Sequence, residues 1–245
     1  MKVYIADNYE ELSEMSASIL IEEMKKKKDI IMGFATGSTP IGTYKNLIKA
    51  CEAKEISFED VTSFNLDEYI GLSQDHEQSY YYFMHDELFN HIDIKEEHVN
   101  MPNGDLTNIE ENIKDYQAKL DSHEIDIQIL GIGGNGHIAF NEPGTSFEST
   151  THIVELDEKT KEDNKRFFNS IEEVPSKAIT MGIKDIMAAK KLLVLANGQN
   201  KAQAVKELLE GEKTESFPAS ILLDHEDVIL IVDQDAASLI VDIEE

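Results

Sequence analysis

Residues 127–144 read IQILGIGGNGHIAFNEPG: an apolar run stops at a glycine-rich turn, and the turn delivers Asn135, His137, Asn141 and Glu142 in quick succession. Histidine titrates near neutrality, and a carboxylate beside it orients the ring and stabilises its charged form. Glu142 and Asn135 are the candidates for that partnership. Two further clusters follow buried strands in the same way. The run IIMGFA (30–35) leads into Thr36-Gly37-Ser38-Thr39-Pro40. There a small-residue turn and a proline at the first helical positions leave helix N-terminal amides facing outward, a ready-made anion site. The run VTSFNL (61–66) ends in Asp67-Glu68-Tyr69, which puts carboxylates at a strand's C-terminal end. Ligands of open α/β sheets bind in the crevice beyond those ends, so the three clusters are expected on one rim, suited to acid–base work beside an anion site.

Other chemistries fit less well. Gly131, Gly133 and Gly136 spell GxGxxG after a strand, with Glu155 about 20 residues on, as in a dinucleotide fingerprint. That fingerprint needs a full helix after its last glycine, and Pro143-Gly144 closes the segment first. The Thr36–Pro40 turn lacks the GxxxxGK[ST] spacing of a Walker loop, His85 and His91 lack metal-ligand spacing, and HExxH is absent. One cysteine, Cys51, excludes an internal disulfide framework and a Cys-based zinc site. The aromatic run Tyr80, Tyr81, Tyr82 and Phe83 is expected to pack rather than to form a stacking platform.

A formal charge of −27 argues against nucleic acid as a partner, because that affinity comes from clustered Lys and Arg on phosphates. An anion site in such a field needs backbone amides and a few chosen cations. Only one of the 22 basic residues is arginine, Arg166. No run approaches the roughly 18 apolar residues of a membrane span, and no basic-then-apolar leader opens the chain. A cytoplasmic protein with no membrane partner is expected.

The elements that must position these residues follow from periodicity. KVYIA (2–6) reads as a strand. A helix follows to about Lys27, capped by Asn8 or Ser13, with Leu12, Met15, Ile19 and Met24 at helical spacing. Further strands are expected at 30–35, 61–66, 127–131, 152–156, 179–183, 192–196, 220–222 and 228–232, with a short segment around 99–101. Helices are expected at about 40–54, 79–90, 108–120 and 201–209. Such alternation marks stacked βαβ units. The expected fold is α/β: a single doubly wound, mostly parallel, Rossmann-like sheet with helices on both faces. No linker interrupts it, so residues 1–245 are expected to form one domain, with the polar segment 159–173 as a mobile helical lid.

FATGSTP (34–40), FNLDEY (64–69), SYYYFM (79–84) and GIGGNGHIAFNEPG (131–144), in this order and spacing, resemble the glucosamine-6-phosphate deaminase family. The resemblance implies conversion of glucosamine 6-phosphate to fructose 6-phosphate and ammonia without a metal or nucleotide cofactor. It implies Asp67 as the base that moves the C2 proton toward C1, and His137 as the group that assists ring opening, helped by Glu142. Asn135 belongs to the same relay, where many members have Asp. An asparagine can hold the imidazole but cannot stabilise imidazolium with a full charge, so the pH dependence of ring opening stays open. Phosphate binding is implied for Gly37, Ser38, Thr39, Arg166 and Lys201. Regulated hexameric members carry basic residues where this chain has His152 and Val154, which implies no such activation here and a monomer or low-order homo-oligomer. Two rivals remain: a 6-phosphogluconolactonase, which lacks the NEP continuation, and a sugar-phosphate sensor that binds without turnover.

Overall fold

The computed structural model describes residues 1–156, 161, 165, 168 and 170–240. β1 (Lys2–Ala6) leads into α1 (Tyr9–Lys26), whose N-terminus is capped by Asn8, its side chain accepting the Glu11 amide at 3.0 Å. β2 (Ile31–Phe34) is followed by α2 (Ile41–Glu52), β3 (Thr62–Asn65) and β4 (Asp67–Tyr69). Then come α3 (Tyr80–Glu87), β5 (Val99–Asn100), α4 (Ile109–Asp121) and β6 (Ile127–Gly131). β7 (His152–Glu155), β8 (Lys177–Thr180), α5 (Ile183–Met187), β9 (Leu192–Ala196), α6 (Ala202–Glu210) and β10 (Val228–Asp233) complete the described chain.

Seven strands form one sheet in the order β1-β10-β9-β6-β2-β3-β5, every neighbouring pair parallel. From β2 the chain steps outward to β3 and β5, then returns to the other side of β2 and steps away through β6, β9 and β10. The order therefore reverses between β2 and β6. Right-handed crossovers place helices that step in opposite directions on opposite faces. α1 and α2 accordingly pack together on one face. α4 and α5 meet on the other, where Gln117 Nε2 donates to Asp185 Oδ1 at 3.1 Å. Every residue of β9 and β10 is buried, which is why LLVLA and VILIVD read as unbroken apolar runs.

The expected parallel α/β sheet is present, and a second sheet that the expectation did not contain stands beside it. β4, β8 and β7 form a three-stranded antiparallel sheet in the order β4-β8-β7. After Asn65 the chain leaves the parallel sheet: the Leu66 carbonyl accepts the Met181 amide at 2.7 Å, and Asp67 pairs with Thr180. The expected strand 179–183 accordingly divides, its first residues closing β8 and Ile183 opening α5. The expected strand at 220–222 is a 3-10 helix, Pro218–Asp224. The Ser220 hydroxyl bonds to both the amide and the carbonyl of Thr214, which curls the segment and buries its apolar residues from a helical turn. Of the expected lid at 159–173, residues 159, 160, 162–164, 166, 167 and 169 lie outside the described residues, and Arg166 is among them.

Candidate active site

A cavity of about 460 Å3 opens over the reversal point, at the C-terminal ends of β2 and β6. That is where the topology of an open α/β sheet parts two loops and leaves a crevice, and the volume suits a small phosphorylated sugar. Its wall gathers Gly37, Ser38, Thr39, Asp67, His137 and Lys201, drawn from four separate segments of the chain. Asn135 and Glu142 stand behind His137 rather than on the wall.

Asp67 opens β4 and is 6% exposed. Burial, reinforced by the neighbouring Glu68 charge, raises its carboxyl to about 8. Side chains alternate across a strand, so Glu68 turns away from the cavity. It accepts the amides of Tyr69, Tyr80 and Tyr81 at 2.7, 2.9 and 2.8 Å. Burial lifts Glu68 to about 7 against the pull of these three donors. Two of the donors belong to the first turn of α3, where a carboxylate complements the helix dipole. Glu68 therefore seats α3, and α3 presents Tyr80 to the cavity. The Tyr80 ring stacks on Phe140 at 5.8 Å and lies 4.8 Å from Tyr69, and its hydroxyl is hydrogen-bonded to Tyr69 and Thr36. Tyr80, Tyr81 and Phe83 of the aromatic run are half-buried, Tyr82 is exposed, and Tyr80 and Phe83 also wall the site. Phe168 meets Tyr69 edge-on at 6.0 Å.

His137 rides on the loop after β6. Its Nδ1 lies 2.7 Å from Asn135 Oδ1, and Asn135 Nδ2 donates to Glu142 Oε2 at 2.9 Å. Glu142 Oε2 is 3.7 Å from the ring nitrogen itself. An amide oxygen can only accept, so this chain of bonds selects the tautomer with its proton on Nδ1. The lone pair then lies on Nε2. The backbone turn supports the ring closely: a Cβ at Gly133 would fall 2.3 Å from Nδ1 and Cε1, so a glycine is required there. Of the fingerprint glycines at this turn, Gly133 makes room for the imidazole and Gly136 for the Phe217 ring.

The third part is the loop before α2. Gly37 adopts φ +98, a conformation that L side chains rarely take. The Tyr9 hydroxyl donates to Ser38 O at 3.0 Å and accepts the Gly42 amide at 2.9 Å, fixing the loop to α1. Thr39 Oγ1 donates to Asn197 Oδ1 at 2.7 Å, tying the loop to the segment after β9. In that segment Asp233 accepts the Gly198 amide on both oxygens at 3.0 Å, and the following 3-10 turn Gln199–Lys201 delivers Lys201. Tyr9, Asn197 and Asp233 carried no motif that singled them out, because their partners lie 29 to 158 residues away. Among the described residues no group of three His, Cys, Asp or Glu is placed to hold a metal ion, and no helix is long and apolar enough to cross a membrane.

A parallel α/β sheet that brings a buried carboxylic acid, a hydrogen-bonded histidine and an anion loop to one crevice defines a class of enzyme acting on sugar phosphates. The sequence model of the glucosamine-6-phosphate isomerases/6-phosphogluconolactonase family matches residues 6–230, and the chain belongs to that family. Within it, the chain is 54% identical over 243 residues to the glucosamine-6-phosphate deaminase of Thermoanaerobacter sp. (strain X514), covering 99% of this chain and 96% of the relative. It is 50% identical over 241 residues to that of Clostridium perfringens (strain 13 / Type A), covering 98% and 100%. The solved structure of a monomeric glucosamine-6-phosphate deaminase matches with a TM-score of 0.96 at 49% identity, over 98% of this chain and 100% of the other. The 6-phosphogluconolactonase from Leishmania guyanensis, at 21% identity and a TM-score of 0.77 over 98% and 99%, shares the fold alone.

Proposed function

We propose that the chain converts glucosamine 6-phosphate and water to fructose 6-phosphate and ammonia, with the reacting carbons held between Asp67 and His137. His137 takes the C1 hydroxyl proton on Nε2 and returns a proton to the ring oxygen, so the pyranose opens to the aldehyde. Asn135 and Glu142 hold the ring in the tautomer this requires. Asp67 then takes the C2 proton while O1 gains one, giving the enolamine. Asp67 returns its proton to C1 as the nitrogen loses one, leaving a CH2OH at C1 and an imine at C2. Water adds there and ammonia leaves. A carboxyl raised to about 8 populates both protonation states near neutrality, as a group that must accept a proton and give it back requires. Gly37, Ser38 and Thr39 bind the phosphate with Lys201 and with Arg166 from the segment 159–173, which serves as the lid. Residues 1–245 act as one domain and need no cofactor. A monomer is supported by the likeness to a monomeric deaminase. A hydrolase working in the cytoplasm on amino sugars released by N-acetylglucosamine breakdown fits this chemistry.

The observation that carries the reading is the meeting of Asp67, His137 and the anion loop on one cavity wall. Incubation of the pure protein with glucosamine 6-phosphate is expected to release ammonia and fructose 6-phosphate in equal amounts. Hydrolysis of 6-phosphogluconolactone in its place would favour the lactonase reading. Saturable binding of glucosamine 6-phosphate without ammonia release would favour a sensor.

A further inference from the structure

The acid, on β4, and the histidine, on the loop after β6, are remote in sequence, yet both segments are fastened to the same two residues, Thr180 and Met181. Thr180 is the strand partner of Asp67 and is completely buried in β8, the middle strand of the small sheet. The Met181 amide donates to the carbonyl of Leu66, just before Asp67, at 2.7 Å. From the other side, the Phe140 amide donates to Thr180 Oγ1 at 3.1 Å, and Asn141 Nδ2 donates to the Met181 carbonyl at 2.9 Å. Asn141 also donates to Ile138 O at 3.0 Å, closing the turn that follows His137. Inside that turn Ala139 has φ +52, a conformation that a residue with a Cβ holds only when its surroundings enforce it.

We infer that Thr180 is a positioning residue for the reaction, its hydroxyl setting the distance between His137 and Asp67. The inference rests on the function proposed above. Without the hydroxyl, the Phe140 amide is left buried with no acceptor beside a left-handed residue. The turn then relaxes, and His137, three residues upstream, shifts with it. Asp67 stays in place, because backbone pairing between β4 and β8 does not use the hydroxyl. The phosphate loop, hung on Tyr9 and Asn197, is also untouched.

The test compares Thr180→Val, which keeps the shape and loses the hydroxyl, with Thr180→Ser, which keeps it. Thr180→Val is expected to lower kcat about 10- to 100-fold, the effect of a small misplacement of a reacting group. KM for glucosamine 6-phosphate, and the inhibition constant of the acyclic probe 2-amino-2-deoxyglucitol 6-phosphate, should stay within about twofold, since binding groups are not moved. Thr180→Ser should recover most of kcat. Thr180→Cys, with a weaker acceptor, should fall between them, and the Ser-over-Cys order still decides if the valine variant does not fold. Wild-type kcat in Thr180→Val, a loss that serine does not restore, equal rates for Ser and Cys, or probe binding lost together with kcat would each overturn the inference. Absence of ammonia release by the wild-type protein would instead overturn the proposed function.

Discussion

The two chemical halves of the cavity are built on opposite principles. Asp67 is nearly dry, and burial, reinforced by the neighbouring Glu68 charge, raises its carboxyl to about 8. His137 is half-buried, and a chain of hydrogen bonds through Asn135 to Glu142 decides where its proton sits. The proposed reaction explains the contrast. Taking a proton from carbon needs a base whose affinity for the proton is high, and desolvating a carboxylate supplies it. Moving a proton between the oxygens of a sugar ring needs an imidazole in a fixed tautomer, and orientation supplies that.

The largest expected effect comes from Asp67→Asn. Loss of a general base lowers kcat by about 10² to 10⁴, while substrate binding, read by equilibrium titration, persists. The same substitution tests how the acid is tuned. Its folded pKa of about 8 lies above the roughly 3.9 of an unfolded aspartate. Relative to the asparagine variant, the wild type is therefore at its most stable below pH 4 and loses stability as the pH rises through about 8. The excess of the variant's Tm over the wild type's should grow between pH 5 and pH 8.5. A difference that does not change with pH would show that burial does not raise the acid, and the contrast between the halves would collapse.

His137→Gln should cost less, about 10² in kcat, the lower end for general acid–base catalysis, because an opened sugar still meets an intact Asp67. KM should move little. A loss as deep as that of Asp67→Asn would mean that the histidine also takes part in the proton transfer between carbons.

Much of this design could be read before any coordinates, because it is local. The polar density after β6, the carboxylates ending VTSFNL and the small-residue turn before α2 each lie within a few residues, and one or more members of each, His137, Asp67 and Gly37–Thr39, meet on one cavity wall. The buried strands were equally plain, since LLVLA and VILIV are unbroken apolar runs of strand length. What could not be read is whatever joins distant segments. That Asp67 leaves the parallel sheet to pair with Thr180, more than a hundred residues on, follows from long-range pairing with no periodic signal. Burial, which raises Asp67, is a property of what packs on it. Glu68 stands beside Asp67 in the sequence as a second carboxylate, and only the three amides it accepts reveal it as the anchor of α3. The segment SIL misled because three apolar residues suit a strand and a helical turn equally well.

The smallest and sharpest test is Asn135→Asp, which grafts a charge onto the half that works by orientation. An ionised carboxylate at 2.7 Å from Nδ1 still accepts its proton, so the tautomer is kept. It also favours imidazolium, and an opposite charge at this range shifts a titration by about 1 unit or more. The limb of the kcat/KM profile that belongs to His137 should therefore move to higher pH, and His137→Gln should remove it. The limb that belongs to Asp67, near 8, should stay where burial puts it. If both limbs move together, the two halves are electrostatically coupled and the separation drawn between them is too strict. If neither moves, Asn135 holds the loop rather than the imidazole.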